Sequence, residues 1–336
     1  MNIYQDYLDN IQLAMRSGKK RKMYTESFDS FGGNIQKGLS AINLAQKISD
    51  DSLLPSLNEL ATEIGSTPNF NQKLGLHPDF SHLKGTNDTE KHYIISTFID
   101  IKKSTDLFKK YLPEAVLIVN DTIQKAAIHT CLIFGGYIHR LQGDGLFVYY
   151  GGKNVTKEEG VKQALLSTSL FSYFVKNDLK MVLSQDGIED INTRIGIDLG
   201  HDDDVIWHNA GIGEISEVTT CSLHTSLAPK MQAFATSNGI VIGDHVKQEM
   251  KTDHDLITPV CHRTGNESDR YIFEIRDENF RYTQHDFDWL KFLKRQDFII
   301  TDQDNRLSFQ LPAPYEVRHS DNIRPIAIKS NPYYNF

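Results

Sequence analysis

The chain has 336 residues, 39% of them hydrophobic, enough for one large domain or a core domain with appendages. A formal net charge of -8 and a mean hydropathy of -0.41 describe a globular chain without the overall basic character that wrapping a duplex demands, so no nucleic-acid partner is expected. Cys131, Cys221 and Cys261 show no C-x-x-C spacing and read as reduced thiols. The polar start "MNIYQDYLDN" and the absence of a long apolar run point to a cytoplasmic protein without a membrane span.

Residues 1–90 read as a polar, mostly helical extension, with Tyr4, Tyr7, Leu8 and Ile11 at helical spacing and "LPSLNELATEIG" as a second amphipathic segment. From residue 91 the periodicity changes. "YIISTFIDI" is a strand apolar on both faces, and Ser104 or Thr105 can cap the helix after it, with an irregularity at Pro113. "GGYIHRLQGDGLFVYYGG" reads as two strands turning at Gly143-Asp144-Gly145. A helix over about Lys157–Val175, the strand "INTRIGIDLG", a helix over about Ser222–Ala235 and the strands "GIVIGD" and "DRYIFEIRD" complete the series. This order predicts an α+β fold with a ferredoxin-like β-α-β-β-α-β unit and helices on one face of a largely antiparallel sheet. The expected division is 1–90, 91–277 and a C-terminal extension, 278–336, packed on the core.

Two carboxylates stand out. Asp100 ends an apolar strand, where its burial is costly without a cationic partner, and Asp144 sits on a hairpin turn. On neighbouring strands both reach one sheet edge, a hard-oxygen donor set that suits Mg²⁺ or Mn²⁺ handling nucleotide phosphates. Taken singly, each is an ordinary cap or turn residue.

The blocks "STFIDIKKST", "GGYIHRLQGDG" and "TRIGIDLG", spread over about residues 93–275, resemble the catalytic core of the class III nucleotidyl cyclases. The resemblance implies two divalent ions held by Asp100, Asp144 and the carbonyl of Ile101. It also implies attack of a 3′-hydroxyl on the α-phosphorus, release of pyrophosphate, and sites shared across a head-to-tail homodimer. Matching "PKMQ" to the family's "ARLQ" sets Thr219 at a base-reading position, Ser226 at the ribose-contacting position and Lys230 at the transition-state cation. Arg140 stands where adenylate cyclases carry a purine-reading lysine, and Tyr137 is a further candidate beside the base.

These departures are most similar to the pyrimidine cyclases of bacterial Pycsar antiphage systems. That implies UTP or CTP as substrate, with UTP favoured, and a separate effector activated by the cyclic nucleotide. An adenylate or guanylate cyclase and an inactive nucleotide-binding module are the competing readings. Arg194 is read as a triphosphate, solvent or dimer contact, Arg263 as a weaker source of phosphate charge, and His201 with Asp202–Asp204 as a solvated acidic turn. The thirteen histidines show no H-x-x-x-H zinc spacing.

Overall fold

The computed structural model describes residues 2–19, 52–188, 191–251, 254–303 and 306–309. Its centre is an eight-stranded sheet. Strands β2 (Ile94–Lys102), β3 (Tyr137–Gln142), β4 (Gly145–Tyr150) and β5 (Asn192–Gly200) pair antiparallel in the order β5-β2-β4-β3. Two helices, α3 (Pro113–Ile133) and α4 (Lys157–Tyr173), supply the crossovers, so the ferredoxin-like β-α-β-β-α-β unit is present. Beyond β5 the sheet continues through β8 (Gly239–Gly243), parallel to it, then β11 (Phe280–Phe287) and β10 (Tyr271–Ile275), with β9 (Ile257–Pro259) also beside β11. The sheet therefore runs on to Phe287, past the boundary at 277 expected from the sequence. A smaller three-stranded sheet joins β1 (Thr89–Lys91), β6 (Ile206–Ile212) and β7 (Ile215–Cys221).

Alternation along β2 sorts its side chains by face. Ile95, Ile99 and Ile101 enter the main core with α3 and α4, whereas Ile94 and Phe98 join a second aromatic cluster around Phe80, Tyr149 and Trp207. The N-terminal helices α1 (Gln5–Gly18) and α2 (Pro55–Glu63) carry the spacing read from the sequence: Tyr7, Leu8, Ile11 and Leu57, Leu60 are buried in the main core. Each such side chain contributes about 2 kcal/mol by leaving water, and α1 packs along α3.

Two local expectations change. The helix after β2 starts at Pro113 and not at Ser104; residues Ser104–Lys109 form a 3-10 turn entered through Lys103 at φ 66°. Proline lacks the N–H that a helix's first turn leaves unused, so Pro113 is a start signal and not an irregularity. Helices also cover both sheet faces. Helix α6 (Leu223–Phe234) lies over β5 and β2 on the side away from α3 and α4, its Leu227 and Met231 packing with Val241, Val260 and Tyr282.

Gly196 is what lets α6 approach. A β-carbon there would stand 2.0 Å from the Ala228 carbonyl oxygen and 2.5 Å from the Gln232 nitrogen, both main-chain atoms. Gly196→Ala is expected to cost about 1–3 kcal/mol by overpacking and to shift the helix that carries Ser226, Lys230 and Gln232. Urea denaturation reads the first effect; an unchanged midpoint would show that α6 yields freely.

Candidate active site

Asp100 lies two residues beyond Phe98 on β2, on the α6 side of the sheet. In the β2–β5 register it stands opposite Arg194, and its Oδ2 accepts from Arg194 Nη2 at 2.7 Å and from Gln232 Nε2 on α6 at 2.9 Å. This is the cationic partner that an aspartate in "FIDI" requires, and it assigns Arg194 to Asp100 within the same chain. Asp100 and Arg194 side chains keep 25% and 26% exposure, so the pair is half-buried and open on one side.

Asp144 occupies the two-residue turn of the β3–β4 hairpin, beside Gly143 at φ 65°. Its Oδ2 accepts from the Ser104 hydroxyl, so the serine expected to cap a helix braces this carboxylate instead. Gly145 brings the two aspartates' backbones together: a β-carbon on it would lie 2.8 Å from the Ile99 carbonyl oxygen and 3.9 Å from Asp100 Cα. Among the described residues, each carboxylate thus has Oδ2 oriented by neighbours and Oδ1 without a partner. Ile101 is buried and pairs with Thr193 in the sheet, leaving only main-chain atoms to offer.

Ser226 and Lys230, one helical turn apart on α6, are both exposed, and Ser226 donates to the Ser222 carbonyl at 3.1 Å. Arg140 and Thr219 come to a second patch, where β3 meets β7. Arg140 forms a salt bridge to Glu217, and Thr219, two residues along β7, bonds His139 Nε2 at 3.1 Å. A register shift between Ile138 and Arg140 turns His139 inward and Arg140 outward, as a bulge does. His139 is wholly buried, and burial with the neighbouring Arg140 charge pushes its pKa down to about 3. Tyr137 is buried in the aromatic cluster; its hydroxyl donates to the Lys73 carbonyl at 2.5 Å and accepts from the Leu76 N–H. Its ring lies 6.2 Å from that of His139, beside the patch that holds Arg140 and Thr219. Arg263 is bound to Asp286 at 2.8 Å and to the Phe234 carbonyl. Gln232, which orients Asp100, was not singled out in the sequence, and Ser104, which orients Asp144, was read there only as a helix cap.

A Staphylococcus aureus protein named cytidylate cyclase is 32% identical to this chain over 299 residues, covering 87% of the chain and 70% of the relative. The chain belongs to the pyrimidine-type class III nucleotidyl cyclases. Two Escherichia coli proteins, also named cytidylate cyclase, are 31% and 32% identical over 252 and 215 residues; this cyclase spans about half their length (54% and 48%) and they match 71% and 59% of it. Among solved structures, an adenylyl cyclase of P. aeruginosa is similar at TM-score 0.45 and 18% identity, over 60% of this chain and 95% of that one. A guanylate cyclase domain of Catenaria anguillulae gives TM-score 0.45 and 15% identity, over 60% and 97%. No protein-family profile matches the sequence. Among the described residues of this cyclase no helix is long and apolar enough to cross a membrane.

Proposed function

We propose that this cyclase converts a pyrimidine nucleoside triphosphate, CTP first, to its 3′,5′-cyclic monophosphate and pyrophosphate. The carrying observation is the adjacent pair of aspartates, each with one carboxylate oxygen oriented and one available, on the open end of β2 and its neighbouring hairpin. CTP takes precedence over the UTP favoured on sequence because the relatives bear the name cytidylate cyclase.

Two carboxylates and a main-chain carbonyl are a hard-oxygen set that fits Mg²⁺ or Mn²⁺, two ions per site. Asp100, Asp144 and the Ile101 carbonyl would hold them. When bound, they supply charge neutralisation at the phosphates and a lowered pKa for the attacking 3′-hydroxyl. Arg194 and Gln232 fix one Asp100 oxygen, and Ser104 fixes one of Asp144, so neither carboxylate has to find its rotamer when substrate arrives. Lys230 supplies positive charge to the oxygens of the α-phosphorus in the transition state, as a compact point charge without an arginine's fork. Ser226 orients the ribose. Arg140, held by Glu217, and Thr219 read the carbonyl and amino edge of the base.

Lys230 and Ser226 serve the site of a second copy in a head-to-tail homodimer. The β6–β7 hairpin supports this reading, because Ile212 and Ile215 at its tip are 80% and 86% exposed and call for cover. The cyclic nucleotide then signals in the cytoplasm to a separate effector during antiphage defence, a role that rests on the Pycsar resemblance.

Purified protein incubated with Mn²⁺ and each of the four nucleoside triphosphates, with products identified by mass spectrometry, is expected to yield cyclic CMP. Cyclic UMP in its place would keep the reaction and overturn the base; cyclic AMP or GMP would overturn the pyrimidine reading. No cyclic product, even with extract of infected cells added, would favour a nucleotide-binding module.

A further inference from the structure

At the far end of β5 three elements converge on a cluster of imidazoles. The turn after β5 runs His201-Asp202-Asp203-Asp204, read from the sequence as solvated, and two of its aspartates behave so. Asp202 takes Lys157 at 2.6 Å and the Tyr93 N–H at 3.1 Å, and the exposed Asp203 reaches Lys91 at 3.3 Å. Asp204 alone turns toward histidines. One ligand-capable atom from each of Asp204, His224 and His245 lies within 4.8 Å of the other two, and Asp204 Oδ2 is 3.9 Å from His224 Nε2.

The surroundings set the free nitrogens. His224 Nδ1 lies 2.8 Å from Oδ2 of Asp198, a carboxylate with no solvent exposure, whose Oδ1 also accepts from the Tyr282 hydroxyl at 2.6 Å and the Leu199 N–H at 3.0 Å. With its oxygens so supplied, Asp198 accepts the Nδ1 proton of His224 and leaves Nε2 with a lone pair. His245 Nδ1 is 3.0 Å from the Leu199 carbonyl oxygen, which can only accept, so its Nε2 also keeps a lone pair. A buried carboxylate behind one imidazole and a main-chain carbonyl behind another are the outer partners that fix metal-binding histidines. At 3.9 Å, Asp204 is too far from His224 to be a hydrogen-bond partner that would account for Nε2. His201 packs against His245 with ring centroids 4.4 Å apart and planes tilted by 41°.

We propose that Asp204, His224 and His245 bind one divalent transition-metal ion of the zinc class, with water completing the shell. Two neutral imidazoles and one carboxylate favour zinc, nickel or cobalt over magnesium or calcium. Ligand atoms at about 2.1 Å from a tetrahedral ion stand roughly 3.4 Å apart, so the exposed Asp204 side chain, 3.9 Å from His224 Nε2, has to close on that nitrogen by about 0.5 Å and no pair of the three by more than about 1.4 Å. The site is distinct from the aspartate pair: in the β2–β5 register Arg194 stands opposite Asp100 and Gly200 opposite Ile94, about 20 Å further along the strand. An ion there ties the 202–204 turn to the first turn of α6 and to the start of the helix Asp244–Glu249, and so anchors the element that carries Ser226 and Lys230.

The test uses the full chain carrying Asp100→Asn and Asp144→Asn, which removes the other divalent-ion donors. After chelation and dialysis it is titrated with ZnCl₂ by calorimetry and with CoCl₂ by visible absorption. One equivalent of zinc is expected, with a d–d band from cobalt. Asp204→Asn, at an exposed position, removes a direct ligand and is expected to weaken zinc binding by at least the roughly 10–100-fold that losing an outer partner costs, and His245→Ala to abolish it. Zinc should raise the thermal midpoint of the parent and not of the His245→Ala protein. Uptake well below one equivalent, or affinity unchanged in both variants, would overturn the site.

Discussion

Asp144→Asn is expected to lower kcat by about three orders of magnitude or more while leaving the folded protein as stable as the parent. Loss of one carboxylate ligand forfeits several kcal/mol of charge stabilisation at the reacting phosphate, and each 1.4 kcal/mol is tenfold in rate. The amide can still accept from the Ser104 hydroxyl through its oxygen, so the hairpin turn keeps its brace. Asp100→Asn should lose activity to the same degree but not stability to the same degree. Its Oδ2 is the partner of Arg194, and neutralising it leaves a half-buried guanidinium opposite an uncharged amide. About 1 kcal/mol of destabilisation is expected after allowing for the exposure of both groups. Steady-state kinetics on the triphosphate that gives product, beside urea midpoints for both variants, separate the two effects. Activity retained within tenfold in either protein would remove the aspartates from the reaction.

How much of this arrangement shows in the sequence follows from what each feature depends on. Asp100 stood out because a carboxylate interrupts an apolar strand, and Asp144 because glycines flank it where a chain must reverse. Both signals are local. The partner of Asp100 was not local. Arg194 meets it through the antiparallel register of β2 and β5, and register depends on pairing that no single segment determines. Ser104 was read as a cap because serine is a good one, yet Pro113 determines where the helix begins and frees the hydroxyl for Asp144. The β6–β7 hairpin escaped notice because its strands are mostly half-exposed and lack a clear alternation. The histidine cluster is the extreme case. Residues 204, 224 and 245 come from a turn and two different helices, so no short spacing advertises them.

Acid is expected to weaken the fold well above the range where carboxylates protonate. His77 and His139 are 5% and 0% exposed among aromatic rings, with His77 facing Tyr137 and Trp207 and His139 stacked on Tyr149 at 4.5 Å. Burial pushes their pKa values down to about 4 and about 3 from the ordinary 6.5. Below pH 6.5 the unfolded chain therefore binds protons that the folded chain refuses. The stability these two residues contribute is complete above pH 6.5 and is lost as the pH falls toward 4 and 3. By pH 5 each costs about 2 kcal/mol relative to neutrality. Asp178 opposes them: burial raises its carboxyl to about 6, so its protonation as the pH falls from 7.5 to 5 returns about 1.4 kcal/mol. The net expectation is a loss of about 2–3 kcal/mol between pH 7.5 and pH 5, a large fraction of a typical domain's stability. Urea unfolding at pH 7.5, 6 and 5 measures it. A His77→Gln, His139→Gln protein keeps polar groups at both positions without the titration; its own starting stability is lower, and it should lose about 4 kcal/mol less than the parent between pH 7.5 and pH 5, with the burial-raised carboxyls of Asp178 and Asp198 and the burial-lowered His201 setting what slope is left. An unaltered slope in that protein would mean that the buried histidines already accept protons in the folded state, and that the aromatic cluster around Trp207 is wetter than its packing indicates.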